Sequence, residues 1–208
     1  YIHVVNDGGA PIENWRELGI NAYTENGESL GIPRAKNQNL AELMRHADCS
    51  ELFLFDDDTR PIKSGWVDIF TQLPEPHAMY IFTGFGNQTK TIKTLGTDGN
   101  LGWYDHVRGC LLYYKREVIE TAGGFDPIFG LGMYEHTDLS DRIHAFGLTT
   151  HRYMAPVNGE EYIYCLDQDK AVESNFDRAT RVKQIQANKP IKLTRTGQKI
   201  YVNYKDVS

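Results

Sequence analysis

The chain is short of cysteine, of long apolar runs and of positive charge, and each shortage narrows what it can be. Its three cysteines, Cys49, Cys110 and Cys165, form no metal-ligand spacing and leave one thiol over, which argues against a disulfide framework. Free thiols favour a reducing compartment, so the expected location is cytoplasmic. No stretch reaches the roughly 18 apolar residues of a membrane span, and no signal-peptide pattern is present, so no membrane segment is expected in this chain. The formal net charge is -6 and there is no basic stripe, so nucleic acid is not an expected partner unless a local basic groove exists. Internal repeats and low-complexity segments are absent. The chain opens at Tyr1 without a methionine and reads as an excised or processed piece, whose upstream surroundings, an anchor included, it does not show.

The 208 residues suffice for one α/β domain with a sizeable core, and no composition shift divides them. The informative stretch is Glu51 to Pro61, where Leu52-Phe53-Leu54-Phe55 runs straight into Asp56-Asp57-Asp58. A short apolar run without alternation predicts a strand buried on both faces, the usual state of a central strand in a parallel sheet. Three adjacent carboxylates repel one another and need a cation or a solvated rim. In an extended chain Asp56 and Asp58 share one side and Asp57 takes the other, so Asp56 and Asp58 are candidate ligands of one ion. Oxygen ligands suit Mg²⁺ or Mn²⁺. The plainer alternative is an acidic turn ahead of a helix near Ser64.

Elsewhere the pattern alternates strands and helices. Tyr1 to Val5 predicts a strand ending in the loop Asn6-Asp7-Gly8-Gly9, and a second strand is expected near Ile20 to Thr24. Pro33 opens a helix whose core stripe is Leu40, Leu43, Met44 and Ala47, and Arg34, Lys36 and Asn37 sit at its start, where an anion is favoured. A helix carrying Trp66, Ile69, Phe70 and Leu73, a strand over Met79 to Phe85 and a long loop from Gly86 to Gly102 follow. Trp103 and Tyr104 at its end offer a flat face to a sugar or an anchor for the loop. Further strands are expected over Val107 to Tyr114 and His151 to Pro156, with a short helix over Arg116 to Ala122 closed by Gly123-Gly124. Between them a glycine-rich aromatic loop, Gly124 to Tyr134, delivers Glu135, His136 and Asp138 to a helix start. A helix with Val172, Phe176 and Val182, ending near Asn188, and a hairpin of Ile191 to Arg195 with Lys199 to Tyr204 complete the chain.

Four of these stretches, in this order, resemble the family-two glycosyltransferases and their relatives with the nucleotide-diphospho-sugar transferase (GT-A) fold, over roughly residues 1–156. Asn6-Asp7-Gly8-Gly9 is similar to the family's Asp-Gly-Ser loop, and Leu30-Gly31 through Lys36-Asn37 to its "Leu-Gly, Ala-Arg-Asn" helix start. Asp56-Asp57-Asp58 is similar to its metal-binding Asp-x-Asp, and Gly123-Gly124-Phe125-Asp126 with Glu135-His136-Thr137-Asp138-Leu139 to its Gly-Gly-Phe-Asp and Glu-Asp-x-Asp-Leu pair. The resemblance implies a mixed, mostly parallel central sheet flanked by helices in one domain, residues 1–208. A nucleotide-sugar half would occupy about 1–105, an acceptor half about 106–165, and a C-terminal helix and hairpin the remainder. Three departures stand out: the family's first strand and helix are missing or lie upstream, His136 replaces the family's second acid, and no histidine follows Pro156 as a metal ligand. His151, Glu161 and Asp167 are the substitutes on offer.

The implied activity is transfer of a sugar from a nucleotide-diphosphate donor, expected to be a UDP-sugar, to a glycan, lipid, protein or other hydroxyl acceptor, with inversion and with Mn²⁺ or Mg²⁺. Asp7, Gly8, Arg34, Lys36, Asn37, Asp56 and Asp57 would bind donor, Asp56 and Asp58 the metal, and Trp103, Tyr134 and Glu135 the acceptor. His136, Glu135 or Asp138 would be the base. The rivals are a noncatalytic nucleotide-sugar or glycan-binding module and a nucleotidyltransferase on a similar fold.

Overall fold

The structure, a computed structural model, describes residues 1–82, 92–169 and 177–206. Its architecture is mixed α/β, with several small sheets and five α-helices among the described residues. Strands β1 (His3–Asp7) and β2 (Ala22–Asn26) pair in parallel, and helix α1 (Ile32–Leu43) packs against β1. Strand β3 (Glu51–Phe55) is followed by the short β4 (Thr59–Pro61), helix α2 (Asp68–Thr71) and β5 (His77–Met79). Beyond residue 92 come β6 (Thr94–Asp98), β7 (Leu101–Tyr104), β8 (Leu111–Lys115) and α3 (Arg116–Ala122). Helix α4 (Glu135–Ala145), β9 (Met154–Pro156), β10 (Ile163–Cys165) and α5 (Arg178–Arg195) complete the order.

The sheet that carries the acidic stretch has the order β3-β8-β5 and is antiparallel throughout, with Phe53 opposite Tyr113 and Ala78 opposite Tyr113 on the far side. This corrects the expected mostly parallel sheet, in which β3 would be central. An apolar run predicts cover on both faces; in β3 Leu52 and Leu54 are buried while Phe53 and Phe55 on the other face are only half-buried, and the run says nothing about strand direction. Leu52, Leu54, Leu112 and Tyr114 face a core built with Leu40 of α1, Val118 and Ile119 of α3, and Leu139 and Ile143 of α4. Tyr113, Leu111 and Ala78 face a second core with Phe70, Leu73, Met154 and Ile163, against which Phe53, Phe55 and Trp66 pack. Each fully buried Leu or Phe contributes about 1.5–3 kcal/mol through surface removed from water.

Other boundaries moved for identifiable reasons. The strand expected over Met79 to Phe85 is the shorter β5, and residues 83–85 lie outside the described residues, as does the start of the expected long loop. The described end of that loop is a hairpin, β6 with β7, turned by Gly99-Asn100 with Gly99 at φ 55°. The strands expected over Val107 to Tyr114 and His151 to Pro156 begin later, at Leu111 and Met154, and the helix after Ser64 is the single turn of α2.

The largest correction is at the C-terminus. Ile191 to Arg195, expected as one arm of a hairpin, is the last part of α5, which continues through Pro190. Asp177 caps this helix by accepting from the Thr180 N–H at 2.9 Å, and Val172 and Phe176 lie outside the described residues. After it the chain returns so that Val202 bridges Gly123, where a Cβ would collide with the Val202 carbonyl. Only glycine fits there.

Candidate functional site

The acidic stretch leaves β3 not as an extended strand but as a tight turn, closed by the Thr59 N–H donating to the Asp56 carbonyl at 3.1 Å. Alternation therefore does not govern Asp56 to Asp58, and the three side chains part company. Asp57 is exposed. Asp56 is held by Lys36, whose Nζ lies 2.9 Å from Asp56 Oδ1 and donates to the Gly109 carbonyl at 2.8 Å. Asp58 turns to the strand pair β4–β10, where its ligand atom, Cys165 Sγ and an oxygen of Asp167 all lie within 4.8 Å of one another. The Leu166 N–H donates to the Asp58 carbonyl at 2.9 Å and fixes that approach. The expected Asp56–Asp58 ligand pair thus gives way, among the described residues, to Asp58 with Asp167.

The electrostatics around Asp58 favour a cation. Burial raises its carboxyl above the usual range, a hydrogen bond from Thr59 opposes that, and the charges of Asp56, Asp167 and Asp57 raise it further. Two of the donors are carboxylates, which suit Mn²⁺ or Mg²⁺, while the Cys165 thiol leans toward softer ions. Of the three substitutes for a histidine ligand, Asp167 is the one at this place. His151 stacks on Trp103 with centroids 4.3 Å apart, and Glu161 lies 3.6 Å from Lys63.

Lys36 joins the acidic turn to the second informative loop. Its burial works against its charge, but Asp56 and Glu135 outweigh that and hold the ammonium above its ordinary range. Gly109, whose carbonyl it grips, sits directly behind His136: a Cβ there would lie 2.8 Å from His136 Nδ1. His136 Nδ1 is 2.9 Å from Glu135 Oε1, so the buried carboxylate holds the N–H tautomer at Nδ1 and leaves Nε2 as the basic nitrogen. Burial pushes the Glu135 carboxyl up, but His136 and Lys36 together bring it below its usual range. Its Oε2 is buried with no hydrogen-bond partner among the described residues. The loop that presents this pair is strained, because Met133 and Tyr134 adopt φ 71° and 77°, outliers for bulky side chains. Asn188 of α5 secures it, donating to the carbonyls of Phe129, Gly132 and Met133 at 2.9, 2.7 and 3.1 Å.

Several expected site residues are occupied in holding the fold. Asp138 accepts from Arg142 Nε at 2.8 Å and from Arg195 Nε at 3.0 Å, so neither oxygen is free to orient His136. Asn37 exchanges hydrogen bonds with the Phe125 backbone in both directions, at 2.8 and 2.9 Å. Asp7 accepts from Asn26, Ser29 and the N–H groups of Leu30 and Gly31, between 2.8 and 3.1 Å. Asp7 thereby takes up the N–H groups immediately ahead of α1. Gly8, at φ 86°, is required because a Cβ would come 2.7 Å from the Ser29 nitrogen. Trp103 lies over Gly96 of the neighbouring strand beneath the His151 ring, which makes it an anchor and not an open sugar platform. Arg34 is half-buried in the first turn of α1, and Tyr134 is half-buried at the N-cap of α4.

Sequence reasoning missed His106, Gly109, Cys165 and Asn188. His106 is exposed, and partial loss of water around the ring first, then the charges of His136 and Arg108, hold it below its ordinary range. None of the four sits in a motif; each acquires its place through contacts distant in sequence. Compared with known proteins, the chain matches no protein-family model and no curated protein.

Proposed function

We propose that the chain is a metal-dependent glycosyltransferase of the GT-A kind, moving a sugar from a nucleotide-diphosphate donor to an acceptor hydroxyl with inversion. One observation carries the reading: Lys36 bonds both Asp56 and the Gly109 carbonyl behind His136, so the acidic turn and the Glu135–His136 pair border one locus. Inverting transfer needs a base and a means of stabilising the leaving group, which the oriented imidazole and a cation held on the acidic side would supply. Asp58 and Asp167, with Cys165 beside them, are the residues that would hold the ion. Bound there, Mn²⁺ or Mg²⁺ would neutralise charge growing on the departing diphosphate.

The remaining chemistry belongs to the chain. The acceptor oxygen forms a bond to the anomeric carbon as that carbon's bond to phosphate oxygen breaks, and the hydroxyl proton passes to His136 Nε2. Glu135 steadies the resulting imidazolium through Nδ1–H. General-base assistance of this kind contributes about 10² to 10⁴-fold. Lys36 keeps Asp56 neutralised while the donor's charge arrives.

The test screens nucleotide sugars with Mn²⁺ by thermal shift and then follows nucleoside diphosphate release. The wild type should show metal-dependent donor binding and release. His136→Ala should bind donor as before and lose release by at least about 10²-fold. A His136→Ala variant with normal turnover removes histidine as base, and donor binding without any release by the wild type replaces the transferase with a binding module.

A further inference from the structure

Helix α5 breaks the charge pattern of the chain. Its eighteen residues hold six of the 22 lysines and arginines, Arg178, Arg181, Lys183, Lys189, Lys192 and Arg195, and none of the 28 acids. The net charge of -6 therefore hides a basic element, which the expectation of no basic stripe overlooked. Two of the six are spent inside the fold. Lys192 lies 3.2 Å from Asp141, and Arg195 pairs with Asp126 and Asp138. Arg178, Arg181, Lys183 and Lys189 are exposed and form no ion pair with a described residue.

Their placement is directional. At 3.6 residues per turn, Arg178, Arg181 and Lys189 fall within an arc of about 80°, with Lys183 on the other flank. The helix lies against the strained loop through Asn188, and Arg181 and Gln184 line one small depression with Leu131, Gly132 and Met133. The row of cations therefore begins beside the loop that presents Glu135 and His136. It is also long: eighteen helical residues span about 27 Å.

We propose that this face of α5 is a docking surface for the phosphate backbone of a nucleic acid, and that the sugar acceptor is carried on that polymer. The second half rests on the transferase reading; the first half does not. Duplex DNA presents about one charge per 1.7 Å of axis, and a row of three or four lysines and arginines that contacts part of it gains affinity by releasing condensed counterions. Gln184 and Gln186 supply uncharged donors on the same helix. An anionic membrane fits worse, because a helix lying in a bilayer needs a broad apolar or aromatic face. The exposed large apolar side chains of α5 are Val182 and Leu193, and it has no aromatic residue.

The experiment measures binding of the chain to a short labelled DNA duplex as salt is raised, with vesicles of phosphatidylserine and phosphatidylcholine in parallel and no donor present. Affinity should fall with salt with a log–log slope near −3, and the triple variant Arg178→Glu, Arg181→Glu, Lys189→Glu should bind more than tenfold more weakly, with a slope shallower by about 2.7. Lys189→Glu should cost several-fold more than Lys183→Glu. Unchanged binding by the triple variant, equal effects of the two single variants, or vesicle binding that matches or exceeds duplex binding overturns the proposal. Thermal shift with nucleotide sugar and Mn²⁺ reads the other site separately. Duplex binding without diphosphate release leaves the surface standing and removes the transferase; release from a chain that ignores the duplex does the reverse.

Discussion

Around α4, Asp138 accepts from Arg142 and Arg195, Asp126 from Arg195, and Asp141 lies against Lys192; beside β4, Asp58 and Asp167 approach each other with no ion pair to a described cation. Both groups belong to acidic stretches that look alike in sequence. The first is matched charge for charge and ties α4, α5 and the Phe125–Asp126 turn into one unit. In the second, burial first, and then the charges of Asp56, Asp167 and Asp57, raise the Asp58 carboxyl against a hydrogen bond from Thr59. A fold that neutralises one set of acids with buried arginine and leaves the other short of cations has separated scaffold from chemistry.

The comparison can be broken most forcefully at Arg142, fully buried, which also donates to the carbonyls of Ala122, Ile200 and Gly124. Arg142→Ala leaves Asp138 as a buried charge that has lost one of its two guanidinium partners, and should cost about 3–5 kcal/mol in urea denaturation. An effect below about 1 kcal/mol would mean that the α4 acids are not scaffold.

A pH titration of stability separates a buried group of the scaffold from those of the site. Burial lowers the His77 imidazole to about 4, so His77 stays neutral in the fold while it is protonated in the unfolded chain. Its contribution is complete above pH 6.5 and is lost as pH falls toward 4, roughly 3 kcal/mol in all. His77→Phe should flatten that limb of the profile. Asp58 acts in the opposite direction. Its raised carboxyl favours the fold below the unfolded value of 3.8, and that gain disappears as pH rises through the folded value.

Asn188→Leu tests the junction between the two regions, since three carbonyls of the strained loop lose their donor. A loss of about 1–3 kcal/mol is expected, together with weaker diphosphate release. The smallest effect sharpens the comparison most. Asp58→Asn should leave metal-free stability unchanged or raise it by less than about 1 kcal/mol, because it relieves repulsion. It should also abolish any thermal shift on adding Mn²⁺. A marked loss of metal-free stability would place Asp58 with the scaffold.

Much of this was legible in the chain, and the limits have physical reasons. Gly123-Gly124 after Ala122 set the end of α3, and Pro33 set the start of α1, because both residues act on the backbone locally. The apolar run of β3 announced a strand with an acidic tip, fully covered on its Leu52–Leu54 face and half-covered on the other. The direction of its neighbours was silent, since a buried strand has the same composition in either orientation. Pro190, Thr196 and Gly197 imitated breaks and turns, yet α5 tolerates its proline and the helix ends only beyond Arg195. Asp167 acquired its place beside Asp58 through the β4–β10 pairing, more than a hundred positions away in sequence, and no local pattern encodes such a meeting. Asp138 is claimed by Arg142 one turn further along α4 and by Arg195 of α5, and Asn37 by the Phe125 backbone, and of these only the Arg142 contact has a local spacing to announce it.

Met133 and Tyr134 carry a further consequence. Two successive bulky residues in left-handed conformations store about 1–3 kcal/mol each, held down by three hydrogen bonds from one asparagine. Glycine at either position would be more comfortable and the protein sturdier, while the imidazole beyond it would wander. Directed evolution for heat tolerance should therefore be drawn to this hinge early, and variants selected there should trade turnover for longevity.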